Sequence, residues 1–496
     1  MGLMKFRLPP GTAWNEADLV RAYLTGPDRT PMACHVELRA GQLLVRRDAS
    51  ESGRLVVACP VEGFGRPMVS TATLAERFEP YDLLVELARG TLNDVQNQLS
   101  EWRQLGLIIS PVLEAQLSEA KRQFGRAATS RDLPDEAALA AMASLRGSLQ
   151  SGQLLTESYT AQVLEKRLEG GARLPTLLAV ALNGYPKPQP WAATIPEIAN
   201  AARVRCDWGS VSREAGRFHW ELPDAQIHWC RRRRIVATAG PLVDLREGAL
   251  PDWLWLWDGD VEEITNQAVE LARAALARYR GKVAVWHLIQ RPASAEILGL
   301  SEEDQVRLTA RLLQVARQVD PDAHLVVDFD RPWADWMAGS TYQLGPLHLA
   351  DSLARADLGL SGVGLEVAPG YAPWGSPMRG LFEFSRLLDL YALMNLPLHV
   401  SLALPSVPAS APSSHHARVD ATSWPAAPDE GMQREWGERW FALAAAKPYV
   451  RTVTWLEVTD QSPLMFPGAG LIRRDGTAKP VVDWMRRFRH DVLGND

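Results

Sequence analysis

The sequence predicts an α/β chain: a (β/α)8 TIM barrel preceded by a β-rich domain and a helical connector. Val283–Ile289 is a short apolar, β-branched run with one aromatic, closed by Gln290-Arg291-Pro292. That is the pattern of a strand buried on both faces that ends at a loop. Helical patterns flank it, over Val261–Arg280 and Ser301–Val319. The same alternation recurs along the chain; strands alternating with helices make a parallel sheet, and about eight such repeats make a closed barrel. Reactive groups in such barrels stand where the strands end, on the C-terminal face. Gln290 and Arg291 occupy that place.

At 496 residues the chain is longer than one ordinary domain. Composition divides it into a β-rich accessory domain over 1–80, a helical connector over 81–171 and the barrel over 172–496. A net charge of −6 offers no basic field for nucleic acid and little for an anionic membrane. Cys34, Cys59, Cys206 and Cys230 lack metal-ligand spacing and fit buried thiols, with a Cys34–Cys59 pair left open. The first ten residues lack the apolar core of a signal peptide, and no stretch reaches membrane-spanning length, so the chain as written is expected to be cytoplasmic.

In the first 80 residues the runs Cys34–Leu38, Leu43–Arg46 and Leu55–Ala58 are separated by turn signals such as Ala40-Gly41 and Ser52-Gly53. A small sandwich or open barrel would bury their alternating faces. From Tyr81 the period becomes helical, with Leu83, Leu84, Leu87 and Ala88, then Leu92, Val95 and Leu99. Pro111–Phe124 and Pro134–Leu168 read as two further helices. The barrel strands follow as Leu177–Asn183, Arg203–Trp208, Ile235–Val243, the Val283–Ile289 run, His324–Asp328 with Asp330 just past it, Leu358–Val367, Leu396–Leu404 and Val450–Thr459. Pro405–Asp429, rich in Pro, Ser and Ala, reads as a long loop over the barrel mouth.

Trp286-His287-Leu288-Ile289-Gln290-Arg291 resembles the fourth strand of glycoside hydrolase family 10, the endo-β-1,4-xylanases, which reads Trp-Asp-Val-Val-Asn-Glu. The resemblance extends to Trp208 with Gly216, to Leu250-Pro-Asp-Trp253, to Ser361-Gly-Val-Gly-Leu-Glu366 and to the tail from Gly468 to Pro480. It covers roughly residues 175–490 and implies a barrel that takes a β-linked saccharide at its C-terminal face. It also implies lost catalysis. The family's Asn, which holds a sugar hydroxyl, falls on Gln290, and its general acid/base Glu falls on Arg291. Arginine stays protonated at any working pH and cannot exchange a proton with a glycosidic oxygen. The nucleophile of the family's Thr-Glu-Leu-Asp falls on Leu402. The Asn and Lys of its second strand fall on Val204 and Asp207, and Ala239, Gly240 and Asp244 replace its Gly, His and Trp.

A carbohydrate-active protein of xylanase-like type is therefore expected, binding a β-linked poly- or oligosaccharide with the double-glutamate hydrolysis lost. Its 18 tryptophans suit sugar stacking and core packing alike. Trp208, Trp286, Gln290, Arg291, Trp333, Tyr371, Trp374 and Trp455 are the expected saccharide contacts. One alternative is a glycosidase with relocated carboxylates, Glu366 with Asp330 or Glu457; another is a non-catalytic scaffold that binds protein. Against the first alternative, Glu366 also fits a structural ion pair with Arg291 or Arg379. Trp253, Trp255 and Trp257 alternate and would share one face, preferably a packed one. His415-His416 lacks a third ligand by sequence, Arg231–Arg234 fits a solvated helix end, and no cofactor or metal is expected.

Overall fold

The computed structural model describes residues 2–9, 14–48, 50–130, 132–184, 189–292, 294–408, 417–461 and 465–493. The barrel strands, all parallel, are Leu177–Ala181, Ala201–Val204, a third in two pieces (Val236–Ala239 and Val243–Asp244), Val285–Gln290, Leu325–Asp330, Gly362–Val367, Leu398–Leu402 and Val450–Trp455. The eighth pairs with the first, Thr452 opposite Leu177, so the sheet closes. The third strand differs from the single run expected because Gly240-Pro241 interrupts it: Gly240 has φ 114°, and a Cβ there would lie 2.2 Å from the His287 carbonyl oxygen. Only glycine tolerates both that conformation and that approach.

Helix bounds follow local chemistry. Ser301 caps Glu302–Val319 in a reciprocal box with Asp304, and Ser110 caps Pro111–Thr129 with proline in the first turn. The expected second strand stops early because Asp207 instead caps a short helix, Trp208–Val211. Trp253–Trp257 lies in a 3-10 helix, Asp252–Trp257, so its indoles do not share a face as an alternating strand would place them; Trp255 and Trp257 are exposed.

The N-terminal residues form two four-stranded sheets. In one, Gly2–Arg7 lies between Gln42–Arg47 and Tyr81–Asp82; Ala40 and Gly41, both at positive φ, turn His35–Arg39 back onto Gln42–Arg47. In the other, Tyr23–Thr25 and Arg54–Ala58 are central. Three helices follow, Leu83–Gln104, Pro111–Thr129 and Pro134–Arg167. Both units are tied to the barrel: Tyr23 Oη donates to Asp335 at 2.5 Å, and Arg167 donates to the Ala445 carbonyl at 2.8 Å, at the end of helix Glu430–Ala446. All four cysteines are free thiols. Among the described residues no helix is long and apolar enough to cross a membrane.

Candidate functional site: the mouth of the barrel

Strand parity decides which side chains meet at the barrel axis. On the sixth strand Val363, Leu365 and Val367 join the core between sheet and helices, leaving Gly362, Gly364 and Glu366 for the interior. On the seventh, Leu398, Val400 and Leu402 pack outward, while His399 and Ser401 face in; Arg203 from the second strand donates to Ser401 Oγ across the barrel at 2.9 Å. The interior is polar. His287 Nδ1 bonds both oxygens of Asp328, at 3.0 and 2.9 Å. Burial, with Arg203 nearby, holds His287 below its ordinary value; Asp328 is held low by His287 and Arg203 against its own burial. A neutral imidazole therefore donates Nδ1–H to a carboxylate.

Arg291 sits above this layer, its side chain wholly buried. It bonds Asp244 from the third strand, lies 3.4 Å from Asp330 on the fifth, and donates to Glu366 Oε1 on the sixth at 2.9 Å. Arg246 lies 3.4 Å from Asp244 and Arg331 lies 3.0 Å from Asp330, so three guanidinium groups face three carboxylates. The Trp374 ring lies 5.7 Å over Arg291 and caps the cluster.

Beside the cluster the mouth opens into a cleft of about 1280 Å³, part of it open to solvent. Asn183, Arg203 and Arg205 line it from the first two strand ends, Asp244 from the third strand, and Asp207 and Arg246 from just beyond the second and third. Gln290, Glu366 and Glu457 complete the polar wall, with Met465 and Phe466 beside them. Gln290 Nε2 donates to Glu366 Oε2 at 2.6 Å; Asn183 Nδ2 donates to Glu457 Oε2 at 2.7 Å, and the Phe466 N–H to its Oε1 at 3.2 Å. Burial raises the Glu366 carboxyl to about 7, Arg291 offsetting only part of that, and raises Glu457 to about 8 against hydrogen bonds from Phe466, Met465 and Asn183. The cleft thus holds two carboxyl groups that can carry a proton near neutral pH.

Of the residues expected at the site, the structure brings Gln290, Glu366 and Glu457 to the cleft wall. Asp330 lies within the fifth strand and does not line the cleft; Arg331 and Arg291 hold it below its ordinary value, and Ser294 donates to it at 2.6 Å. Trp208, Trp286 and Trp455 present no face to a ligand, because all three pack in the core between sheet and helices. Trp455 donates its indole N–H to the Ala469 carbonyl at 2.8 Å. Tyr371 is buried against Phe466, and Trp333 packs under Arg379 at the border with the N-terminal sheets. Arg379 itself pairs with Asp335 rather than Glu366. Sequence reasoning missed Asn183, Arg205 and Arg246 as site residues, although each stands just past a strand end.

The loop expected over the mouth supplies none of the described lining. Arg418–Val419 pairs with Tyr371–Ala372, and the Ser423 carbonyl accepts from the Arg66 N–H at 2.9 Å, toward the N-terminal sheets. His415-His416 lies outside the described residues, among which no group of three or more His, Cys, Asp or Glu is arranged to hold a metal.

No protein-family model and no curated protein matches the chain. Solved structures similar to it include xylanase 10B from Thermotoga petrophila RKU-1 in complex with xylobiose, 14% identical over 66% of this chain and 96% of that one, TM-score 0.49. Native xylanase 10B from Thermotoga maritima is 14% identical, over 66% and 97% of the two chains, TM-score 0.49. A GH10 endoxylanase retrieved from sugarcane soil metagenome is 16% identical, over 63% and 97%, TM-score 0.48. The likeness to these barrels is distant.

Proposed function

We propose that the chain is a carbohydrate-active protein of xylanase-like type that binds a β-linked oligo- or polysaccharide at the barrel mouth, without double-glutamate hydrolysis. The cleft carries this reading: it is open, polar and placed at the C-terminal strand ends, where this barrel class takes its ligands. Arg205, Asp207, Arg246 and Glu457 offer donors and acceptors of the kind that sugar hydroxyls pair with. Loss of hydrolysis is supported by two positions. Arg291 has no transferable proton, and neither the seventh strand, Leu398–Leu402, nor the two residues after it contain a carboxylate in either parity. Titration calorimetry of the full chain with xylo-, cello- and manno-oligosaccharides tests binding. Heat of binding is expected with at least one series, reduced by Arg205→Ala, together with no aryl xyloside turnover at xylanase rates. A folded protein giving no heat with any series would replace this reading with the scaffold one.

A second reading, a glycosidase with relocated carboxylates, is favoured by one observation: Glu366 and Glu457 share the cleft with their carboxyl groups at about 7 and about 8. A proton donor works best near the operating pH. On this reading Glu366→Gln and Glu457→Gln each abolish aryl glycoside turnover with the circular dichroism spectrum unchanged. Wild-type protein without turnover would dismiss it.

A further inference from the structure

A separate, partly open cavity with an enclosed volume of about 100 Å³ lies where the N-terminal sheets, the helices after them and the barrel meet. Four arginines line it, Arg29, Arg54, Arg379 and Arg386, against two acids, Asp94 and Glu383. Arg54 and Arg386 share Asp94 Oδ2, at 2.5 and 2.7 Å, and Arg386 also bonds Glu383 at 2.8 Å. Arg379 is neutralised from outside the cavity by Asp335. Counting Asp335, four cations face three anions, and the surplus cation is identifiable. The Arg29 side chain makes no hydrogen bond or ion pair among the described residues; burial and the nearby Arg386 charge hold it below its ordinary value, against longer-range attraction from Glu383 and Asp94, both already bonded by other arginines. A second polar group is left over: Ser148 Oγ, fully buried in the wall, has no hydrogen-bond partner. The rest of the wall is largely apolar, with Phe64, Trp333 and Leu149.

A guanidinium without an ion-pair partner in a partly enclosed, apolar-walled space costs desolvation energy unless an anion joins it. We propose that this cavity is a second binding site, for a small organic anion whose carboxylate or phosphate head sits on Arg29 and whose apolar body lies against Phe64 and Trp333. Guanidinium groups favour such heads because their N–H fork matches two oxygens at once. The site does not depend on what occupies the barrel mouth.

The test is titration calorimetry and thermal unfolding of the full chain with benzoate, phenyl phosphate, inorganic phosphate and phenol. Benzoate or phenyl phosphate is expected to bind and raise the unfolding temperature saturably; which of the two binds more tightly identifies the head group. Phenol, lacking charge, and inorganic phosphate, lacking an apolar body, should each bind at least about tenfold more weakly. Because Arg29 makes no hydrogen bond or ion pair among the described residues, Arg29→Gln should fold and stay close to the unliganded wild-type unfolding temperature. It should lose about tenfold or more in anion affinity, whereas Arg29→Lys keeps most of it. Failure of both organic anions to bind wild-type protein overturns the proposal, as does unaltered affinity in Arg29→Gln.

Discussion

Arg291 Nη2 donates to Glu366 Oε1 at 2.9 Å, and Gln290, the residue before Arg291, holds the other oxygen of the same carboxylate at 2.6 Å. Both oxygens of Glu366 are thereby occupied from one strand end. Arg291 is a permanent cation that organises acids from the third, fifth and sixth strands.

Removing that cation should destabilise the protein. Arg291→Ala leaves Asp244, Asp330 and Glu366 with only Arg246 and Arg331 against them. Breaking a buried pair by deleting one partner costs about 3–5 kcal/mol. Arg291→Glu should cost more, because a fourth carboxyl joins the three. Urea unfolding midpoints check the order: a glutamate variant as stable as the wild type would contradict this account of the cluster.

Gly364 makes room for the layer beneath. A Cβ at this position would lie 1.9 Å from Asp328 Oδ1, the carboxylate bonded by His287. Both partners are buried, so the clash has no outlet to solvent. Gly364→Ala is expected to lose about 1–3 kcal/mol or more through overpacking. A thermal midpoint equal to wild type would show that the interior repacks freely.

Trp455 separates core from ligand contact. Its ring rests on Gly437 of helix Glu430–Ala446, and its N–H satisfies the Ala469 carbonyl. Trp455→Phe should cost about 1–3 kcal/mol, since that buried carbonyl loses its donor, with saccharide affinity at the mouth unchanged. Reduced affinity in a fully folded variant would return Trp455 to the site.

These residues also mark how far the sequence could be read. A strand buried on both faces shows no apolar–polar alternation, so Val283–Ile289 announces a strand but not its phase. Trp286 and Trp455 were therefore legible as strand residues and illegible as helix-facing ones. Leu402 has the same ambiguity: it faces the helices, yet neither it nor inward Ser401 is an acid, so the absence of a carboxylate there does not depend on phase. Helix bounds were legible because caps are local, as Ser301 and Ser110 illustrate. An arginine among strand ends must find acids, which made a Glu366–Arg291 pair foreseeable. Asp244 and Asp330 joining it required the third and fifth strands to be set in register. Asn183, Arg205 and Arg246 were missed because they carry no pattern of their own; only the position of each strand end singles them out.

The pH dependence of stability tests the polar interior as a whole. His287 and His399 are held below the ordinary histidine value of 6.5 by burial and neighbouring cationic or imidazole groups, and His324 is lowered to about 4. Such groups take up protons on unfolding below pH 6.5, so their contribution is lost as pH falls. Glu366 and Glu457 act oppositely. Raised from 4.5 to about 7 and about 8, they hold protons in the fold that the unfolded chain releases, so their contribution is complete below 4.5 and lost as pH rises through 7 and 8. Asp328 and Asp330, held below 3.8, enter only in stronger acid. Just below pH 6.5 three histidines oppose two glutamates and stability rises with pH; from 6.5 to 8 the glutamates act alone and stability falls. Each uncompensated proton contributes about 1.4 kcal/mol per pH unit. Urea midpoints should therefore peak near pH 6.5, and Glu457→Gln should flatten the alkaline side by about one proton. A wild-type curve still rising at pH 8 would mean that the two carboxyls are ionised in the fold.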